Sequence, residues 1–249
     1  MGIKLYGTKP SPPAHSVRLM LESKGLDYKP IWLLPGLHPA LLRTRGFRGG
    51  TVPAIKIDGH RVQRSLAIAR ALDELQPDPP LLPPDPEQRR EVEEAERWAD
   101  EVLQDVPRRI VRWMSVHLPE TRVMIAREIG VPLPRFAAWI NAPTARRMAN
   151  KVDSDAEVEN AIAMVPEVLD HVDALISKGT IGGEQPNAAD FQIATNVRAL
   201  MTVRDLDAVT RGRPAADLAM RLIPEFGNDF PAGLLPAEMV RGRASARPD

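Results

Sequence analysis

The stretch Thr51-Val52-Pro53-Ala54-Ile55-Lys56-Ile57-Asp58-Gly59, followed six residues later by Ser65-Leu66-Ala67-Ile68, decides the reading of this chain. Pro53 cannot donate a backbone hydrogen bond, and it stands at the mouth of an apolar run with the length and alternation of a strand. Asp58-Gly59 is a hairpin signal. From Ser65 to Leu75, the apolar residues Leu66, Ile68, Ala69, Leu72 and Leu75 recur at helical spacing. A helix that opens on a serine offers backbone N–H groups, a hydroxyl and a positive dipole end to a carboxylate.

Working outward, Ile3 to Tyr6 reads as a first strand and Thr8 to Pro13, with three prolines, as a loop. Ser16 to Lys24 reads as a helix stopped by Gly25. Tyr28 to Leu34 reads as a second strand and Pro39 to Thr44 as a short helix. The hairpin pairs Ala54–Ile57 with Arg61–Gln63. The order strand, helix, strand, helix, strand, strand, helix is that of a thioredoxin-like α/β domain. Gln76 to Pro86 then holds six prolines in eleven residues, a stiff connector that cannot continue a helix. The predicted organisation is an α/β thioredoxin-like domain over 1–76, a Pro-rich linker over 77–86 and an all-α helical bundle domain over 87–249. Its helices are expected at Glu87–Leu118, Glu120–Gly130, Arg135–Asn150, Asp155–Lys178, Ala188–Val203 and Arg213–Ile223, with a mobile tail from Arg241.

The 249 residues carry 33 Lys plus Arg against 33 Asp plus Glu, and this balance gives no electrostatic case for nucleic acid as a partner. No apolar run is long enough to span a bilayer, and no signal peptide is evident, so the expected location is cytoplasmic with no membrane partner. The chain has no cysteine. Disulfides, thiolate metal sites and a protein thiol nucleophile are therefore excluded, and any thiol chemistry must use a thiol that arrives with the ligand. His15, His38, His60, His117 and His171 show no metal-ligand spacing, so no metal is expected and each reads as a surface or loop residue. Trp98, Trp113 and Trp139 read as packing residues of the helical half.

Val52-Pro53 paired with Ser65-Leu66-Ala67-Ile68, together with Asn187-Ala188-Ala189-Asp190-Phe191 farther on, resembles the glutathione S-transferase family, in particular serine-type bacterial members. The resemblance covers nearly the whole chain. It implies a transferase that conjugates the thiol of glutathione, its co-substrate, to a small electrophile, and it implies a homodimer. It further implies that a cis Val52–Pro53 bond presents the Val52 backbone to glutathione, and that Ser65 meets the γ-glutamyl carboxylate. Asn187 and Asp190 match the helix-capping motif of the second domain.

The thiolate needs a nearby donor, because a hydrogen bond to the charged form lowers its pKa. Ser11, in the loop after the first strand, is the candidate catalytic residue, and Tyr6 is the runner-up. Ser16 reads as a helix N-cap. Arg64 stands where the family carries Glu, Gln or Asp, and a guanidinium facing the ammonium of glutathione is repulsive. Arg64 therefore either turns away or pairs with a ligand carboxylate. Arg43, Arg45 and Arg48 read as a solvated face that could meet a carboxylate. The alternative readings are a non-catalytic binding or interaction protein on the same fold, or an enzyme that uses a different thiol ligand.

Overall fold

The computed structural model describes residues 2–136, 138–139, 143, 154–227 and 229–240. The first third is built on four strands: β1 (Ile3–Gly7), β2 (Tyr28–Trp32), β3 (Ala54–Ile57) and β4 (His60–Gln63), in the order β2-β1-β3-β4. β1 runs parallel to β2 and antiparallel to β3, and β3 is antiparallel to β4. The helices of this part are α1 (Pro12–Ser23), α2 (His38–Arg43) and α3 (Ser65–Leu75), with α1 and α3 packed together. The hairpin closes on two residues of positive φ, Asp58 at 44° and Gly59 at 102°, the primed turn that suits the twist of paired strands. This is the expected thioredoxin-like layout.

The remainder is helical: α4 (Pro86–Trp98), α5 (Asp105–His117), α6 (Pro119–Ile129), α7 (Asp155–Ala163), α8 (Val165–Lys178), α9 (Ala188–Met201), α10 (Asp207–Thr210), α11 (Pro214–Leu222) and α12 (Ala237–Val240). Among the described residues after Asp85 the only β feature is one isolated bridge, Val203 to Phe230. The chain divides into two compact units, Met1–Asp100 with Leu175–Asn196, and Glu101–Ala174 with Val197–Asp249. Most of the helix expected at Arg135–Asn150, and the tail from Arg241, fall outside the described residues.

Several boundaries differ from expectation, and proline explains most of them. α1 begins at Pro12, four residues before the expected Ser16, because proline is at home in a first helical turn where its missing N–H has no partner to lose. Ser16 is therefore no N-cap. It lies inside α1, buried, and donates to the Pro13 carbonyl at 2.9 Å. The single helix expected over Glu87–Leu118 is three segments: α4, a π-helical turn at Ala99–Leu103, and α5. Pro107 would strike the carbonyl of Leu103 in a continuous α-helix. Pro166 likewise divides the expected Asp155–Lys178 helix into α7 and α8. β2 stops at Trp32, two residues short of Leu34.

In the first unit Lys24 is the principal tie. Its buried ammonium donates to Asp73 Oδ1 at 2.8 Å, the Gln76 carbonyl at 2.5 Å and the Pro79 carbonyl at 2.8 Å. Asp73 in turn accepts from the N–H groups of Leu81 and Leu82 at 2.8 and 3.0 Å. The proline-rich segment is thus fastened to the C-terminal ends of α1 and α3. The start of α9 is capped by Asn187, whose Oδ1 accepts from Ala189 and Asp190 N–H at 2.9 and 3.1 Å. The Asp190 carboxylate accepts two bonds in return, from Asn187 N–H at 2.9 Å and Gly182 N–H at 2.7 Å. This reciprocal arrangement satisfies helix-end donors that burial would otherwise strand.

In the second unit α5 packs on α6 and α7. Trp113, 5% exposed, donates to Asp155 at 2.7 Å. Ser154 and Glu157 cap α7 as a box, and Arg213 bridges Asp170 and Asp173 at 2.7 and 2.9 Å. Trp139 is not a core residue: it is 71% exposed and stacks on Phe136, one helical turn away.

Replacing Lys24 by Met leaves two carbonyls and a carboxylate oxygen without their donor. The expected loss is about 3–5 kcal/mol of unfolding free energy, the range for breaking a buried ion pair. Urea denaturation of K24M reads it, and a loss below about 1 kcal/mol would refute the tie.

Candidate functional site

The sheet register collects the singled-out segments. Tyr6 pairs with Ala54, and Ala54 pairs with Gln63. The loop leaving β1, the loop entering β3 and the turn from β4 into α3 therefore lie at one end of the sheet. Those three connections carry Ser11, Val52-Pro53 and Arg64-Ser65.

Ser11 is the N-cap residue of α1, with extended backbone angles. Its hydroxyl makes no capping hydrogen bond. The reason is chemical: of the two N–H groups a cap side chain can reach, Pro13 at the second helical position has none to offer and that of Ala14 at the third goes to the Ser11 carbonyl. Its carbonyl accepts from Ala14 and His15 N–H at 3.0 and 3.2 Å. The hydroxyl thus sits at a helix N-terminus without serving that helix.

The loop is held from below. At Gly7, an added Cβ would lie 2.7 Å from the Ala14 side chain and 3.1 Å from the Trp32 ring, so only glycine lets α1 approach so closely. His15 tilts against Trp32, with ring centres 5.6 Å apart, and its Nε2 meets the Lys9 carbonyl at 2.6 Å. Burial holds its pKa below the ordinary histidine value. His15 is therefore a partly buried helix residue, not the surface residue expected of it.

Tyr6 lies in a different environment. It is 5% exposed and clusters with Leu33, Leu42, Phe47 and Ala54. Its ring meets the Phe47 edge at 5.3 Å, and the Arg45 guanidinium lies 5.9 Å from its centre. Val52 packs its side chain against this same cluster. Arg43 and Arg48 are exposed and Arg45 is half-buried.

The Val52–Pro53 bond is cis, and the buried Pro53 accepts from the Arg64 N–H through its carbonyl at 3.1 Å. That bond joins the loop before β3 to the start of α3. Gln63 clamps the preceding residues: its Oε1 accepts from Gly49 N–H at 2.8 Å, and its Nε2 donates to the carbonyls of Gly49 and Thr51 at 3.1 and 3.2 Å. No sequence pattern marks Gln63 for this, since the clamp depends on where the hairpin register leaves the side chain.

Arg64 takes a positive φ of 75° immediately before α3, a conformation uncommon for a residue with a side chain. Its guanidinium reaches Asp100 at 2.8 Å while remaining mostly exposed. Ser65 opens α3 and is 2% exposed. Its hydroxyl donates to Gln192 Oε1 at 3.2 Å. Gln192 Nε2 donates to Glu96 Oε1 at 2.8 Å, and Arg70 donates to Glu96 Oε2. Burial pushes the Glu96 carboxyl up to about 7, against the opposing pull of Arg70. Asp100 stands 36 positions from Arg64, Gln192 127 from Ser65, and Glu96 26 from Arg70 and 96 from Gln192, beyond the reach of any local motif.

Among the described residues, no group of three or more His, Asp or Glu is arranged to hold a metal. No helix among them is long and apolar enough to cross a membrane.

Residues 5–80 match the family model for the glutathione S-transferase N-terminal domain. Glutathione S-transferase Z2 of Arabidopsis thaliana is 44% identical over 86 residues, a segment that covers 33% of this chain and 38% of the relative. The match therefore spans well under two thirds of that relative's length. A glutathione S-transferase of Sinorhizobium meliloti 1021 superposes with a TM-score of 0.62 at 18% identity, covering 96% of this chain and 98% of the other. A maleylacetoacetate isomerase of Anaeromyxobacter dehalogenans 2CP-1, with bound GSH in its active site, gives 0.57 at 20% identity and covers 89% of each chain. The end of the sheet that gathers Ser11, Val52-Pro53 and Ser65 lies within the matched segment, so the part of the chain that carries the candidate site is similar to the N-terminal domain of glutathione S-transferases.

Proposed function

We propose that the protein is a glutathione transferase that joins the thiol of glutathione to small electrophiles. The observation that carries this reading is the Ser11 hydroxyl, left out of helix capping at the N-terminus of α1. A donor in that position, with the helix dipole behind it, favours a thiolate over a thiol. The sulfur lone pair then forms the C–S bond. The electrophile either releases a leaving group with its electron pair or takes that pair into a conjugated acceptor.

Binding of the tripeptide is assigned to residues 1–76, with 77–86 as the connector and 87–249 as the helical part; the family-model match over 5–80 supports this. The Val52 backbone pairs with the cysteinyl unit, and Ser65, with the N-terminus of α3, receives the γ-glutamyl carboxylate. The bound GSH of the solved isomerase supports glutathione as the ligand. The working state is a homodimer in the cytoplasm, where glutathione is kept reduced. Light scattering is expected to give twice the chain mass of 27.5 kDa.

Arg64 supports a second reading, in which the protein binds without turnover or takes another thiol. Its pairing with Asp100 turns the guanidinium toward a carboxylate and mutes the repulsion of the glutathione ammonium. It does so by occupying an acid that could otherwise meet that ammonium. R64E removes the cation and frees Asp100, and glutathione affinity by calorimetry is expected to tighten about tenfold, or ~1.4 kcal/mol. An unchanged affinity would place the ammonium elsewhere.

The thiol donor is tested by kinetics. S11A should lower conjugation of a chloronitrobenzene at neutral pH by one to two orders of magnitude, the effect of losing about 1.5–3 kcal/mol from a hydrogen bond to a charged group. The pKa of bound glutathione, read from the thiolate absorbance, should rise. Y6F should change the rate less than about twofold, since the ring is a packing element. The opposite pattern would transfer the role to Tyr6. Wild-type binding without turnover would favour the binding protein.

A further inference from the structure

We infer that Gln192 and Glu96 are positioning residues that set the direction of the Ser65 hydroxyl, so that Glu96 must be protonated for Ser65 to donate to a ligand carboxylate. The inference rests on the reading of Ser65 as a glutathione contact. Its physical content is a one-way relay. Arg70 on α3 and Gln192 on α9 both donate to Glu96 on α4. An ionised carboxylate only accepts, so it holds the Gln192 amide with its NH2 toward Glu96 and its oxygen toward Ser65. That oxygen takes the serine proton at 3.2 Å. Ser65, Gln192 and Glu96 are 2%, 3% and 0% exposed, so water does not compete for these bonds. In this state the serine is committed inward and offers a carboxylate no proton.

A neutral Glu96 changes the arithmetic of donors. Its new O–H can donate to the Gln192 oxygen once the amide turns by half a rotation, and the Gln192 NH2 then donates to Ser65 Oγ. The serine keeps an acceptor role inside the network, and its own proton is released for the ligand. The proton gained by Glu96 comes from solvent, and no bond between heavy atoms is made or broken. The groups facing Glu96 are Arg70, which favours ionisation, Gln192, and Glu93 on the same helix, which opposes ionisation and is itself 3.5 Å from Arg70. With the Glu96 carboxyl pushed up to about 7 by burial, both states are populated near neutral pH. Ligand binding that selects the protonated form must weaken as pH rises through that value, and must take up a proton above it.

The test uses S-methylglutathione, whose capped thiol cannot titrate, with the full-length protein. Its affinity is measured by calorimetry from pH ~5.5 to ~8.5 in buffers of different ionisation enthalpy; the ligand's carboxylates keep their charge across this range, and any titration of its amine is common to wild type and variants and is subtracted by comparing them. Wild type is expected to bind about tenfold more weakly at the alkaline end, with proton uptake near pH 7.5. E96Q carries no titrating group at position 96 and should lose the fall in affinity and the proton uptake centred near pH ~7 that wild type shows beyond it. Q192M keeps Glu96 but cuts the relay, and should lose them too, which covers the case that E96Q does not fold. A purely structural role for Glu96 would weaken binding in both variants but leave the pH profile in place, and would overturn the inference. Wild-type binding that is level with pH would also overturn it while leaving the proposed function intact. No wild-type binding at any pH would overturn both.

Discussion

A buried ammonium organises the first unit. Lys24 has three protons and three protein acceptors, one each from the side chain of Asp73 and the carbonyls of Gln76 and Pro79. A charge so placed is tolerable only when every donor is satisfied. That requirement fixes the end of α1, the last turn of α3 and the path of the proline-rich segment together. From there the constraint passes on. Asp73 holds Leu81 and Leu82, and the Leu81 carbonyl accepts from Ala188 at 2.8 Å, where α9 begins. α3 carries Ser65 and α9 carries Gln192, so the tie at one end of these helices governs how their other residues meet.

Proline has an unusual share in this architecture. α1, α4, α6 and α11 all start on a proline, and Pro107 and Pro166 sit in the first turns of α5 and α8. Each is placed where its missing N–H costs nothing. At Ser11 the same habit has a chemical consequence, because Pro13 deletes one of the two donors that a serine cap can serve and the other, Ala14 N–H, is taken by the Ser11 carbonyl. A device for starting a helix leaves a hydroxyl available.

The thioredoxin-like layout was legible because its signals are local. Asp58-Gly59, Pro53 and the apolar spacing after Ser65 each specify conformation within a few residues. The cap at Asn187 and Asp190 was legible for the same reason. Helix boundaries differ from the expected ones where proline reads as loop, at Pro12-Pro13, or is passed over inside a helical pattern, at Pro107 and Pro166. In Pro12-Pro13, Pro107 and Pro166 it ends one segment and begins the next. The part of the site that escaped the sequence is the part made by tertiary approach. Gln63 reaches Gly49, Arg64 reaches Asp100, and Glu96 meets both Arg70 and Gln192. None of these pairs shares a helix turn or a strand register. Gln192, one residue beyond Phe191 of the capping motif, reads in the sequence as helix and nothing more.

The first unit is not one continuous piece of chain. Residues 1–100 are completed by Leu175–Asn196. On a ribosome the two pieces appear in order, at a rate of roughly 5–20 residues per second, so their separation is on the order of 4–20 s. During that interval Glu96 lacks Gln192, Glu91 lacks the Lys178 that will lie 2.9 Å away, and the Leu81 carbonyl lacks Ala188 N–H. Until then these polar groups are without the partners they hold in the folded chain. The contacts that close the first unit therefore form only after residues 175–196 have been made.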